Sequence, residues 1–292
     1  MPIEIINFNA KDGIKLDGIL NKTEKGSNKA LIQIHGMTSN CFKIRDKVIA
    51  EKVKEIGIDT ICFNNRGSEI VRYISSENAT LIGGVAYEKV EDSYYDIVGA
   101  IEFAINLGYE QIYLQGHSLG ATKVVYTYNK LRQENSPLLE NIKGIILLSL
   151  VDIAGIIDFG TNNEYIKLAI EKEKKGEIMD LMPFNSFIHP LSVKNFLYYT
   201  KYNQNINFAK YDNKDDNFEV LNRIDCPLFM RWGNINEMIK QEAKDLVEFM
   251  NDKIINSNKD IGYIDGADHS YHGKEQYLAN EINKFLISER KV

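Results

Sequence analysis

The pentapeptide Gly-His-Ser-Leu-Gly at residues 116–120 constrains this chain more than any other stretch. It ends a short apolar run that starts at Ile112, and a segment compatible with a helix follows from Ala121 to Leu131. This order predicts a strand, a sharp turn with Ser118 at its apex, and a helix. Glycines are expected on both sides because a side chain would not fit beside such a turn. The helix start would direct free N–H groups toward whatever Ser118 attacks, so the pattern predicts a nucleophilic serine.

Short apolar runs and helical stripes alternate on both sides of this turn. Strands are predicted at 30–34, 58–63 and 144–150, and helices at 44–56 and 90–105. Apolar strands without polar alternation are typical of a parallel sheet that helices cover on both faces. An antiparallel hairpin is expected at the start of the chain, and a loop is expected from Ser68 to about Gly84.

Residues 152–222 interrupt the alternation, which resumes with a strand at 228–232. The interrupting stretch has no clear strand, and its later part is rich in Phe, Tyr and Pro. It therefore predicts a helical cap inserted into one core made of residues 1–151 and 223–292. Aromatic residues of the cap, Phe187 and Tyr199 among them, either line a substrate pocket or form the cap's own hydrophobic core.

Composition indicates a globular protein and limits the classes of partner that it is expected to bind. The chain is 44% hydrophobic and 26% charged, and its net charge of −6 comes without a basic stripe, so nucleic acid is not an expected partner. No apolar run approaches membrane-spanning length, and residues 1–10 show no basic-then-apolar pattern, so neither a membrane span nor a secretion signal is expected. Three well-separated cysteines predict free thiols and, by default, a cytoplasmic location. No metal-binding or phosphate-binding motif occurs, so no cofactor or metal is expected. The oligomeric state stays open between monomer and homodimer.

The order of motifs along the chain resembles the alpha/beta-hydrolase superfamily, specifically serine esterases with a helical cap. Besides the serine motif, the resemblance rests on His35-Gly36, Arg66-Gly67, Trp232-Gly233 and Gly266-Ala267-Asp268-His269, each placed after a predicted strand. It extends over nearly the whole chain. It implies a mostly parallel central sheet with helices on both faces and the cap after the sixth strand. The implied activity is hydrolysis of a small carboxylic ester through an acyl-enzyme intermediate.

A serine hydroxyl needs a neighbouring base before it can act as a nucleophile. Among the five histidines, His269 follows the last predicted strand at the sheet edge where Ser118 lies, and the resemblance puts the base there. His272, expected in the first turn of the closing helix, is the alternative. An oxyanion intermediate needs two preorganised N–H donors. The amide of Leu119 is one candidate, and the resemblance implies that of Met37 as the second.

The acid that would orient the histidine departs from the family pattern. Similar hydrolases carry an aspartate three residues beyond the glycine of a Trp-Gly strand end, where this chain has Asn236. An amide can orient an imidazole but lacks the charge that stabilises an imidazolium. Glu237 comes next and is one methylene longer than aspartate, so it is the first candidate. Asp152, just past the preceding strand, and Asn236 itself are the alternatives.

The same site would also serve other reactions. A thioesterase, an amidase or peptidase, and a carbon–carbon bond hydrolase are alternatives within enzymes, and the sequence does not separate them. A ligand-binding protein on a hydrolase scaffold is the non-enzymatic alternative. The presence of both Ser118 and His269 argues against it, because a protein that only binds needs neither.

Overall fold

The computed structural model describes residues 3–155, 162–202 and 206–288. The strands within this part are β1 (Ile3–Asn9), β2 (Lys15–Asn21), β3 (Lys29–Ile34), β4 (Asp59–Phe63), β5 (Arg72–Ser75), β6 (Thr80–Gly83), β7 (Gln111–His117), β8 (Ile142–Leu148), β9 (Leu228–Gly233) and β10 (Lys259–Ile264). The α-helices within it are α1 (Ile44–Lys54), α2 (Ser93–Asn106), α3 (Leu119–Gln133), α4 (Asn163–Lys174), α5 (Val193–Leu197), α6 (Glu219–Asn222), α7 (Ala243–Lys253) and α8 (Glu275–Ser288). None of these helices combines the length and the apolar character needed to cross a membrane.

One eight-stranded sheet organises the fold, with strand order β1-β2-β4-β3-β7-β8-β9-β10. β1 and β2 pair antiparallel, β2 pairs antiparallel with β4, and the six strands from β4 to β10 in this order run parallel. The five inner parallel strands, from β4 to β9 in this order, are almost entirely buried, which explains why their sequences lack polar alternation; the edge strand β10 is only partly buried. The predicted fold class, a mostly parallel sheet with helices on both faces, is confirmed.

The two faces of the sheet carry separate hydrophobic cores. One contains Ile49 of α1 and Ile282 of α8. The other contains Ile97 of α2, Val124 of α3 and Leu246 of α7. Each of these residues belongs to an apolar stripe at helical spacing, so burial of the stripes fixes which side of each helix faces the sheet.

The insertion between β8 and β9 follows the sixth strand of the central sheet and packs on the ends of the parallel strands. Its described α-helices are α4, α5 and α6, and a π-helical turn, Tyr198–Tyr202, follows α5. A third hydrophobic cluster, which includes Phe187 and Tyr199, joins the insertion to Leu119 at the start of α3. The division into a core and a separate cap at residues 152–222 stays a prediction.

Two local expectations were wrong. The expected loop after Ser68 contains the hairpin of β5 and β6, whose strands are only four residues long. Its outer residues are exposed and Ile74 alone of β5 is buried, so the sequence shows no alternating run. The closing helix begins at Glu275, not before His272, because Gly273 takes a left-handed conformation with φ of 71°. His272 therefore lies in the preceding loop.

Candidate active site

Ser118 occupies the turn between the end of β7 and the start of α3. Its backbone has φ of 55° and ψ of −128°, a strained combination for a residue with a side chain. A Cβ atom at Gly116 would lie 2.4 Å from the carbonyl oxygen of Gly120, and one at Gly120 would lie 2.3 Å from that of Ile34. Both glycines are thus required for β7 and α3 to approach this closely. The amide of Ser118 donates a 2.8 Å hydrogen bond to the carbonyl of Leu148, which fixes the turn against β8.

His269 and Glu237 form a hydrogen-bonded pair after the last two strands of the sheet. His269 Nδ1 donates to Glu237 Oε1, and the carboxylate side chain is only 3% exposed. Its other oxygen, Oε2, accepts from the amide of Gly233 at 2.9 Å and from Ser149 Oγ at 2.7 Å. Burial alone would raise the pKa of Glu237, but these hydrogen bonds outweigh it and the pKa lies below its ordinary value. The side chain is therefore a carboxylate at neutral pH.

Ser118 and His269 line the same cavity, which has a volume of about 500 Å³. Met37 and Leu119 line it next to the serine turn. The backbone amides of these two residues make no hydrogen bond within the part of the chain that the structure describes. A cavity wall with unpaired N–H donors is suited to a negatively charged oxygen.

Phe187 and Tyr199 reach this cavity from the insertion. Their rings stack with centroids 5.9 Å apart and an interplanar angle of 19°. Both side chains are also members of the hydrophobic cluster that holds the insertion on the sheet. The two positions that the sequence analysis offered as alternatives, in a cavity wall and in the insertion's hydrophobic core, thus both apply to these side chains.

Neither of the other candidate acids, both in the described part of the chain, makes a hydrogen bond to His269. The carboxylate of Asp152 accepts from the amide of Gly155 at 3.0 Å and from Asn207 Nδ2 at 2.9 Å, so it is engaged by other residues of the insertion. Asn236 takes a left-handed conformation with φ of 50° in the loop after β9. His272, the alternative base, has a largely exposed side chain at the cavity mouth, and its Nδ1 lies 2.7 Å from a carboxylate oxygen of Asp268.

His117, the residue before the serine, contacts the histidine loop directly. Its Nε2 donates a 2.7 Å hydrogen bond to the backbone carbonyl of His269, and the two rings are 5.1 Å apart. Burial, together with the positive charge of Arg45, holds the pKa of His117 well below its usual value. The ring is therefore neutral and carries its proton on Nε2, which secures the loop that positions His269.

The loop after β3 passes very close to the serine. A Cβ atom at Gly36 would lie 2.9 Å from Ser118 Cβ and 2.9 Å from the carbonyl oxygen of His117. The buried ring of His35 donates from Nδ1 to the carbonyl of Gly36 and accepts the amide of Asn65 at Nε2, at 2.9 Å and 3.2 Å. Burial, followed by the charge of Lys123, lowers the pKa of His35 to about 3, so this neutral link persists across ordinary pH.

Three residues at this site were not predicted from the sequence. Ser149 supports Glu237 from the end of β8, and Arg45 lines the cavity from the start of α1. His189 of the insertion also lines it, with Nε2 3.3 Å from Thr38 Oγ1, and burial lowers its pKa. No sequence signal marks them, because their positions depend on how distant segments return to one sheet edge. No cluster of three or more potential metal ligands occurs among the described residues.

The sequence matches no protein-family model, and no relative is found among curated proteins. Solved structures are similar over nearly the whole chain. Est1E from Butyrivibrio proteoclasticus, with ferulic acid bound, has 18% identity and a TM-score of 0.65 over 98% of this chain and 99% of that chain. The alpha/beta hydrolase GrgF from Penicillium sp. sh18 has 16% identity and a TM-score of 0.70 over 100% of both chains. The esterase Pf2001 from Pyrococcus furiosus has 16% identity and a TM-score of 0.61 over 98% of this chain and 91% of that chain.

Proposed function

We propose that this chain, which has the alpha/beta-hydrolase fold, hydrolyses carboxylic esters through an acyl-enzyme formed on Ser118. One observation carries the proposal. A single cavity contains Ser118, on a strained strand-to-helix turn, and the imidazole of His269, which the buried carboxylate of Glu237 orients through Nδ1. A hydroxyl, an imidazole and a carboxylate in this order are the catalytic groups of a serine hydrolase.

In the proposed first half-reaction, Ser118 Oγ attacks the ester carbonyl carbon and its proton passes to His269 Nε2. Glu237 stays ionised and stabilises the imidazolium. The carbonyl oxygen becomes an oxyanion, for which the amides of Met37 and Leu119 are the proposed donors. When the intermediate collapses, the bond to the alcohol oxygen breaks and the alcohol leaves with the proton from His269. Water then attacks the acyl-enzyme in the same way, releasing the carboxylic acid and restoring the serine proton.

Two further side chains are proposed to position this machinery. His117 holds the backbone of the histidine loop through its hydrogen bond to the carbonyl of His269. Ser149 donates to Glu237 Oε2, which leaves Oε1 for His269. Neither side chain contacts the reacting atoms in this mechanism. Their proposed contribution is to keep the carboxylate and imidazole at fixed orientation, which lowers the reorganisation that catalysis requires.

The preference for a carboxylic ester draws support from the similar structures. One of them is described as an esterase, and another contains bound ferulic acid, which is a carboxylic acid. A role as a pure binding protein is disfavoured by the buried carboxylate of Glu237, because burying a charge is costly and a binding cavity does not need it. We further propose that residues 152–222 act as a cap and that Phe187 and Tyr199 contact the substrate.

The proposal is tested by active-site labelling. A fluorophosphonate probe should modify Ser118, as mapped by mass spectrometry of peptides. Ser118→Ala should remain folded, lose labelling, and lose ester turnover by several orders of magnitude. Ser39→Ala is the matched control, because Ser39 lines the same cavity without a place in the proposed mechanism. A panel of 4-nitrophenyl esters of graded acyl length provides the turnover assay. Labelling at another serine, or an active enzyme without labelling, would contradict the assignment.

A further inference from the structure

Arg45 is a buried guanidinium in the wall of the cavity that holds Ser118. Its side chain is 5% exposed, and its Nε and Nη2 each donate a 3.0 Å hydrogen bond to the carboxylate of Asp46. The remaining nitrogen, Nη1, has no hydrogen-bond partner among the described residues, yet it is not sealed off from solvent space. Buried polar groups are nearly always hydrogen-bonded, so a free N–H group facing a cavity points to a ligand.

The start of helix α1 supplies further donors at the same place. Lys43, Ile44 and Arg45 all line the cavity, and they form the N-cap and the first turn of this 11-residue helix. The first amides of a helix have no acceptor within it, and the Lys43 side chain does not cap them. The helix dipole adds a partial positive charge. An unpaired guanidinium nitrogen and an uncapped helix N-terminus therefore meet at one wall.

The guanidinium is held in place rather than free to turn away. Gln115 Nε2 donates to Asp46 Oδ1 at 3.2 Å, and Gln33 Nε2 donates to the Asp46 backbone carbonyl at 3.2 Å. Asp46 neutralises one edge of Arg45 and leaves the opposite edge for a second acceptor. Glu275 is the acidic residue in the cavity wall itself, and the basic residue Lys43 lines the same cavity.

We propose that Arg45 and the N-terminus of α1 bind a carboxylate group of the substrate, so that the preferred substrates are esters carrying a free carboxylate. This inference rests on the proposed esterase function and names its substrate class. The carboxylate would accept N–H groups from Arg45 Nη1 and from the first turn of the helix, a charge-assisted contact that a neutral group does not provide. The same contact would hold the ester group in the cavity beside Ser118.

The test compares matched charged and neutral esters. On the acyl side, mono-4-nitrophenyl glutarate is paired with 4-nitrophenyl pentanoate; on the alcohol side, 4-acetoxybenzoate is paired with 4-acetoxybenzamide. We expect the wild type to favour the charged member of at least one pair by about tenfold in kcat/KM at low ionic strength. In Arg45→Gln/Asp46→Asn, which removes both charges of the ion pair, that ratio should fall about tenfold. Lys47→Gln/Glu51→Gln, which removes both charges of an exposed ion pair on the same helix, should leave the ratio unchanged.

Each outcome decides the inference. A wild type that does not favour the charged member of either pair overturns it, as does a double variant that keeps the wild-type ratio. If the double variant does not fold, Arg45→Lys is measured instead. Lysine keeps the positive charge but lacks the paired N–H donors of the guanidinium, so the charged-to-neutral ratio of kcat/KM should fall by a smaller factor. If the wild type hydrolyses no ester, the proposed function fails separately. Glutarate should then still raise Tm in wild type relative to glutaramide, and equal Tm values would overturn the carboxylate site.

Discussion

Replacing Glu237 with glutamine tests the acid proposed for this site, because the amide cannot reproduce the contacts of the carboxylate. Oε1 accepts from His269 Nδ1 and from the amide of Met238 at 3.1 Å. Oε2 accepts from Ser149 and from the amide of Gly233 at 2.9 Å. All four partners can donate, so the NH₂ group of glutamine faces an N–H donor in either orientation.

The two orientations have different costs. With NH₂ in the Oε2 position, the amide of Gly233 loses its acceptor, which costs about 1–3 kcal/mol of stability. With NH₂ in the Oε1 position, His269 must accept at Nδ1 and carry its proton on Nε2, where it cannot take the proton of Ser118. In both orientations the charge that stabilises the imidazolium is gone. We expect kcat to fall about 10⁴-fold, equivalent to about 5.4 kcal/mol of activation free energy.

The assay is kcat for a 4-nitrophenyl ester with Glu237→Gln, Asp152→Asn and Asn236→Ala measured side by side. Asn236→Ala should stay within a few-fold of wild type, because His269 Nδ1 donates to Glu237 and no hydrogen bond joins the Asn236 side chain to His269. Asp152→Asn should lower Tm, since Asp152 accepts hydrogen bonds that connect two parts of the insertion, and should leave kcat within about tenfold. Near-wild-type kcat in Glu237→Gln, with a loss of hundreds-fold or more in Asp152→Asn, would refute the reasoning.

Glu237→Gln should also change how the stability of the folded protein depends on pH. The pKa of Glu237 is lower in the folded protein than its ordinary value. Its ionised form therefore stabilises the fold above the ordinary pKa, and this contribution is lost as the pH falls through the lower, folded pKa. Glutamine has no such contribution at any pH. The Tm difference between wild type and Glu237→Gln should accordingly be largest near neutrality and shrink below about pH 4.

Two further substitutions probe the cavity. Phe187→Ala removes a buried ring from the cavity wall, so it should lower the free energy of unfolding by about 3–5 kcal/mol. It should also raise kcat/KM for esters with long acyl groups relative to acetyl esters. Equal changes in kcat/KM for all acyl lengths would assign the ring to the insertion's core alone. Gly36→Ala should lower kcat at least 100-fold for every ester, since its Cβ would lie 2.9 Å from Ser118 Cβ; Gly26→Ala, with open space around a positive φ, is the control that changes stability without changing kcat.

The fold and the turn that carries Ser118 could be predicted from the sequence because their requirements are local. Gly116 and Gly120 are needed by the close approach of β7 and α3, and the apolar character of the strands follows from burial on both faces of the sheet. Both signals are present in a few consecutive residues. The position of His269 after the last strand follows from the same regularity, since parallel strands place their ends at one edge.

The contacts around the cavity could not be predicted, because they join segments far apart in the chain. Arg45 and His189 reach the site from α1 and from the insertion, and nothing in their neighbouring residues distinguishes them from surface side chains. Ser149 lies within the strand predicted at 144–150, whereas its left-handed backbone, with φ of 47°, places its hydroxyl beside Glu237. Such conformations are set by tertiary packing rather than by propensity.

The acid illustrates how loop geometry and side-chain length are determined together. Asn236 occupies the slot where similar hydrolases carry aspartate, and its left-handed φ of 50° suits asparagine better than most residues. This loop presents the next residue, not Asn236, to His269. A side chain at position 237 must reach His269 with one oxygen while the other stays bonded to Gly233 and Ser149, and the extra methylene of glutamate supplies the length for both. An aspartate there would be about 1.5 Å shorter and would have to give up one of the two sets of contacts. The shift of the proposed acid from position 236 to position 237 and its change from aspartate to glutamate are therefore coupled.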